Sequence, residues 1–324
     1  MANRVINLPW PLPVYAPLRR LAFAIPRFRW HAVLDLRPTG IPMPHMQDNG
    51  IKASTTYRYP PVGACIYCET TSGRLTEEHI IPKGLGGTLV LPEASCDTCA
   101  KITSLFELRV MRGFMDRGRQ AMGIKGRKQH KRPKETALTQ TFIQPNGSLF
   151  EQEVPVDQAI RVMHFPVLPL PGFLDHLHPP RPDAEQVDIV ALDTIQFGTD
   201  QFQAIRPHSA VGIQIKDRMA IWDFVRLLAK IAHGYHVATR CMFSLEESPL
   251  VPIILGTRRD ARNWIGCTAE HPLPSDRPAL HLLNEETLDG DGQSKCVAVR
   301  IKLFANQRTA TYVLASRICE IAPG

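Results

Sequence analysis

Apolar positions recur at helical spacing most clearly in "DRMAIWDFVRLLAKIAHGYHV", where Ile221, Phe224, Val225, Leu228, Ile231 and Ala232 share one face. Asp217 is the expected cap of this helix and Gly234 its expected end. A second helical pattern runs through "TCAKITSLFELRVMRGFM", with Ile102, Leu105, Phe106, Val110 and Phe114 as the apolar face and Ser95 placed to cap it. Strand patterns lie in "RLTEEHIIP", which stops at Pro82, and in "TLVLPEAS", "VDIVALDTIQFG" and "SAVGIQIK". "TQTFIQPNGSLFEQEVP" reads as a hairpin around Asn146-Gly147, and "KCVAVRIKLFANQRTATYVLASRI" as two strands joined near Asn306. The mixture predicts an α+β fold.

Four regions follow from these patterns. Residues 1–55 mix prolines, arginines and aromatics without a helical or strand period, and are expected to form a poorly ordered Pro/Arg-rich arm. Residues 56–136 hold a cysteine- and histidine-bearing module with a basic tail. Residues 137–185 read as a Pro-rich connection, and residues 186–324 as a separate α+β accessory domain.

The chain has 324 residues, 44% of them apolar, and a formal net charge of +7. That length holds one large domain or two ordinary ones, and the charge suits an anionic partner. No apolar run is long enough to cross a bilayer, since "FPVLPLPGFL" is broken by Pro166, Pro169 and Pro171. "LAFAIP" is too short for a signal-peptide core, so a cytoplasmic location is expected. In that reducing compartment paired cysteines favour a metal over disulfides.

Cys65 and Cys68 form one Cys-x2-Cys pair, and Cys96 and Cys99 form another after 27 intervening residues. Each short pair offers two thiolates from one tight turn, and two such pairs complete a tetrahedron. The expectation is a structural Zn2+ with no open position. Cys241, Cys267, Cys296 and Cys319 stand singly in apolar or strand-like settings and read as small buried hydrophobes.

Between the pairs stand Glu78-His79-Ile80-Ile81-Pro82 and Leu85-Gly86-Gly87. With the flanking cysteines, this combination resembles the zinc-stapled branch of the HNH endonuclease family, over about residues 63–110. The resemblance implies a ββα-metal (His-Me finger) fold: a β-hairpin leaning on a helix, stapled by zinc. It implies hydrolysis of nucleic-acid phosphodiesters, with DNA as the expected partner. It makes His79 the general base and Glu78 the ligand of a catalytic Mg2+ or Mn2+. The chemistry agrees with those roles: a histidine near neutrality can deprotonate water, and a hard cation can bind phosphate oxygens. Glu77, the neighbouring carboxylate, reads as solvated.

Two positions depart from the family pattern. Ala100 follows the last cysteine where Asn or His is usual, and Leu91 stands where an Asn usually helps to orient the base. Thr103 and Glu107, one and two turns beyond Ala100, are the helix positions that could supply an oxygen instead. From Arg109 to Lys134 the chain carries ten Lys or Arg and one Asp. Within this run Arg127, Lys128, Lys131, Arg132 and Lys134 are candidate phosphate contacts, as is Lys83 just past the strand. The alternative reading is a catalytically inactive zinc module that binds nucleic acid or a protein partner. No catalytic constellation is legible in residues 186–324, and His233 and His236 read as structural.

Overall fold

A computed structural model describes residues 6–8, 28–35, 55–124, 136–175, 187–198, 202, 207, 209–268, 279–289 and 294–320. In chain order these form β1 (Ile6–Leu8), β2 (Phe28–Asp35), β3 (Tyr57–Arg58), β4 (Leu75–His79), β5 (Leu89–Cys96), α1 (Asp97–Arg112), α2 (Asp116–Ala121), β6 (Ala137–Ile143) and β7 (Leu149–Pro155). They continue with β8 (Arg161–Val167), β9 (Ala191–Phe197), β10 (Gly212–Met219), α3 (Ile221–Arg240), α4 (Leu250–Leu255), β11 (Ile265–Thr268), β12 (His281–Asp289), β13 (Ser294–Leu303) and β14 (Thr311–Glu320). The class is α+β. The sheets run β1-β2-β10-β6-β7, β11-β14-β13-β12, β3-β5-β4 and β8-β9.

The hairpin expected at Asn146-Gly147 is present: β6 and β7 pair antiparallel, and Gly147 takes φ +82° in the turn. β13 and β14 likewise pair antiparallel around residues 304–310. The strand β8 occupies part of the segment read as a Pro-rich connection and pairs with β9.

Two short stretches of the 1–55 segment form strands. β2 pairs antiparallel with β10 along Phe28 to Asp35, and β1 pairs parallel with β2. Phe28, Trp30, Ala32 and Leu34 alternate with other residues over this stretch. That period of two is a strand signal which the surrounding prolines obscure. Asp217 lies within β10 and does not cap α3, whose cap is Ala220. Gly234 does not end that helix, which continues to Arg240.

Among the described residues, the C-terminal elements share a core with the cysteine module. One continuous hydrophobic cluster joins Ile80, Leu85, Phe106 and Val110 of the cysteine module to Phe224, Leu228, Ile231, Leu303, Tyr312 and Leu314. The reason is α3. Phe224, Val225, Leu227, Leu228, Ala229, Ile231 and Ala232 are all fully buried, so the helix is apolar nearly all round and needs cover on every side. α1, α4, β13 and β14 supply that cover. Gly234 is buried against Ile80, where a β-carbon would make ordinary van der Waals contact at 3.8 Å.

Candidate functional site

β4 and β5 pair antiparallel, and α1 follows β5 without a break, giving the β–β–α order expected from the sequence. The cap of α1 is Cys96, whose sulfur accepts from the Cys99 backbone N–H. Ser95, the expected cap, is instead fully buried on β5. Phe106 and Val110 face the core as predicted, but Leu105 is 56% exposed and lies off that face.

The connection between the strands explains its glycines. Lys83–Leu85 form a single 3-10 turn that buries Leu85 and ends at Gly86 with φ +85°, a conformation that favours glycine. At Gly87 a β-carbon would stand 1.9 Å from the Ile81 carbonyl oxygen, so only glycine fits that close approach. His281 Nε2 donates to the Leu85 carbonyl over 2.8 Å and fixes the turn to β12.

The sulfurs of Cys65, Cys68, Cys96 and Cys99 all lie within 4.8 Å of one another. Cys68 and Cys96 sulfurs are 3.7 Å apart. Sulfurs at ~2.3 Å from a tetrahedral ion stand roughly 3.8 Å apart, so the set could hold a metal. Burial raises the Cys65 and Cys99 thiols. At Cys96 burial also opposes ionisation, but hydrogen bonds from the Cys99 backbone and the neighbouring thiols outweigh it and bring this group to about 7. A bound cation would stabilise all four as thiolates.

The pairing register of β4 with β5 shifts between Thr76 and Glu78. The extra length lies on β5 around Pro92 and Glu93: Pro92 has no N–H to give the ladder, and Glu93 takes φ +49°. Glu78 emerges from this irregularity opposite Leu91 and is buried. The apolar Leu91 is itself buried there, at the position where the family pattern carries a polar residue.

The buried face of Glu78 meets a residue that sequence reasoning missed. Lys230, from the middle of α3, is wholly buried and places Nζ 2.7 Å from Glu78 Oε1 and 2.8 Å from Glu107 Oε1. It also donates to the backbone carbonyls of His79 and Ile80. Burial alone would discharge this lysine, but Glu107 and Glu78 outweigh that cost and raise its pKa. Burial raises Glu78, with Glu107 adding to the shift. Glu107 is thus turned inward as its helical position allows, whereas the Thr103 hydroxyl donates to the Ala100 carbonyl. A lysine flanked by apolar residues on the strongest helix was the available signal.

This cluster bears on the hard cation expected at Glu78. An ammonium has three donors, and here Glu78, Glu107 and the His79 carbonyl supply three acceptors. A Mg2+ between the same carboxylates would need oxygens at about 2.0–2.1 Å and several waters. Lys230 leaves no such space, so the divalent ion does not fit this arrangement.

His79 ends β4 with its side chain 22% exposed, and its Nε2 lies 3.5 Å from Glu77 Oε1. Glu77 Oε2 accepts from Arg58 Nη1 at 3.0 Å. Glu77 is therefore a partner of both residues and not simply solvated, and it can help to hold the imidazole. Lys83 is exposed beside this strand end. Arg127, Lys128, Lys131, Arg132 and Lys134 lie outside the described residues. Among the described residues, no helix is long and apolar enough to cross a membrane.

The family model described as HNH endonuclease matches residues 65–106. That span runs from the first cysteine through β4, β5 and the first ten residues of α1; it includes Glu78 and His79 and ends one residue before Glu107. No curated protein and no solved structure matches the chain.

Proposed function

We propose that this chain is an HNH-type nuclease that hydrolyses nucleic-acid phosphodiesters, with DNA as its substrate. The observation that supports this most is the placing of Glu78-His79 at the end of a strand whose hairpin partner leads straight into a cysteine-capped helix, within the matched segment. The ion suited to the four sulfurs is Zn2+: thiolate ligands at both Cys-x2-Cys pairs complete its tetrahedron. With no open position it serves structure, holding the start of α1 against the β4–β5 hairpin.

His79 is the general base. Nδ1 is buried, so Nε2 is the nitrogen that would take a proton from water attacking phosphorus, and Glu77 3.5 Å away would stabilise the imidazolium that forms. Lys83 and the basic segment through Lys134 neutralise phosphates and position the strand. The test is cleavage of mixed single- and double-stranded DNA and of RNA, with and without added Mg2+ or Mn2+, comparing wild type with His79→Ala. Loss of a general base costs on the order of 10²–10⁴-fold in rate, with zinc content and binding retained. Equal cleavage by both proteins would remove His79 from the role.

The Lys230 cluster favours a second reading, a noncatalytic zinc module that binds nucleic acid or a protein. Nucleic-acid binding without cleavage by either protein, under any of these conditions, would select it.

A further inference from the structure

We propose that Lys230 is the resident cation of this module, its ammonium standing between Glu78 and Glu107 in place of a divalent ion. The inference goes beyond the nuclease reading, because it concerns what the site binds and holds whether or not the chain cuts.

Glu78 comes from β4, inside the matched segment, and Glu107 from α1, one residue past the end of the match. Lys230 comes from α3, more than a hundred residues later in the chain and outside the match. The later helix therefore inserts a positive charge into the module's own acidic pair. The lysine side chain is 0% exposed, against 8% for Glu78 and 16% for Glu107. A buried cation needs opposite charge and filled hydrogen bonds. Lys230 has both, through two carboxylates and the His79 and Ile80 carbonyls.

The surroundings agree with a permanent occupant. Ala100 offers no ligand atom, and the Thr103 hydroxyl already donates to the Ala100 carbonyl. Leu91, opposite Glu78, is apolar and buried. A metal would have to displace an ammonium that is itself wholly buried, and two cations cannot share the space between these carboxylates. The Lys230 contact with the His79 carbonyl has a further consequence: the same ammonium fixes the backbone of the proposed base. Lys230 is thus a positioning residue, since its buried side chain cannot touch a substrate.

The experiment uses the full chain with its zinc in place. Mn2+ binding is read by the loss of the free-ion electron paramagnetic resonance signal, and thermal midpoints are measured with and without Mn2+. Wild type should show no Mn2+ site that depends on Glu78, and no rise in midpoint. Lys230→Met should take up about one Mn2+ per chain and should be stabilised by it, whether it is folded or loosened beforehand. Lys230→Met/Glu78→Gln/Glu107→Gln should lose that uptake. A wild-type Mn2+ site abolished by Glu78→Gln would overturn the proposal. So would a Lys230→Met protein that neither binds nor is stabilised by Mn2+. Failure of the nuclease reading appears separately, as absence of cleavage with these binding results unchanged.

Discussion

His233 Nε2 lies 2.6 Å from the carbonyl oxygen of Ile66, so α3 is hydrogen-bonded to the turn between Cys65 and Cys68. The carbonyl can only accept, which places the proton on Nε2. Burial pushes His233 down to about 4, the Ile66 bond opposing that shift. Buried His164, bonded through Nδ1 to the Thr194 hydroxyl at 2.9 Å, is likewise pushed down to about 4. Both rings are neutral in the fold near pH 7, while an unfolded chain protonates them near pH 6.5.

The unfolded state therefore binds more protons between these values. Stability from the two histidines is fully present above about pH 6.5 and is lost as pH falls through about 4. The loss should be on the order of 3 kcal/mol per histidine over that window. Urea unfolding from pH 8 to pH 4 should show it. His164→Gln should flatten the profile without changing the cysteine module, and an unaltered profile would exclude His164 as a source.

The cysteine cluster predicts a metal content. Purified protein should hold about one zinc per chain, and Cys96→Ser should lose it. Cys96 also caps α1, but serine is itself a good N-cap, so Cys96→Ser removes a metal ligand while keeping the cap. A disulfide among these cysteines, or carefully handled protein without metal, would remove the structural-zinc assignment.

The basic segment predicts a salt effect. Replacing Arg127, Lys128, Lys131 and Arg132 with Ala should weaken DNA binding and flatten its dependence on salt. Each lost phosphate contact lowers the log–log slope by about 0.9 on duplex DNA. An unchanged slope would assign these side chains to solvent.

Gly87 predicts a steric effect. Gly87→Ala places a methyl group on the Ile81 carbonyl, at a distance no side chain can accept without moving the backbone. The change should cost at least about 1–3 kcal/mol, by the measure of overpacked cores. An alanine at Gly73 meets no atom within 4 Å, but its φ of +79° adds backbone strain, so its cost should be smaller and free of any clash. Denaturant midpoints of the two variants compare the effects.

The amino-acid sequence by itself determined what depends on near neighbours in the chain. The two Cys-x2-Cys pairs, the strand ending near His79, the turn glycines and the 146–147 hairpin are local patterns with local causes. So is the apolar face of α1 at Phe106 and Val110. Only the tertiary structure decided which distant residues meet. Lys230 reaches Glu78 across 152 positions of sequence because α3, apolar nearly all round, is buried beside β4 and α1. No spacing rule links those two residues. The same burial joins the C-terminal half to the module in one core, and β10 gives the proline-flanked β2 the partner that a lone strand lacks. Periodicity shows which face of an element seeks cover; the charge within that cover is set by the chain that supplies it.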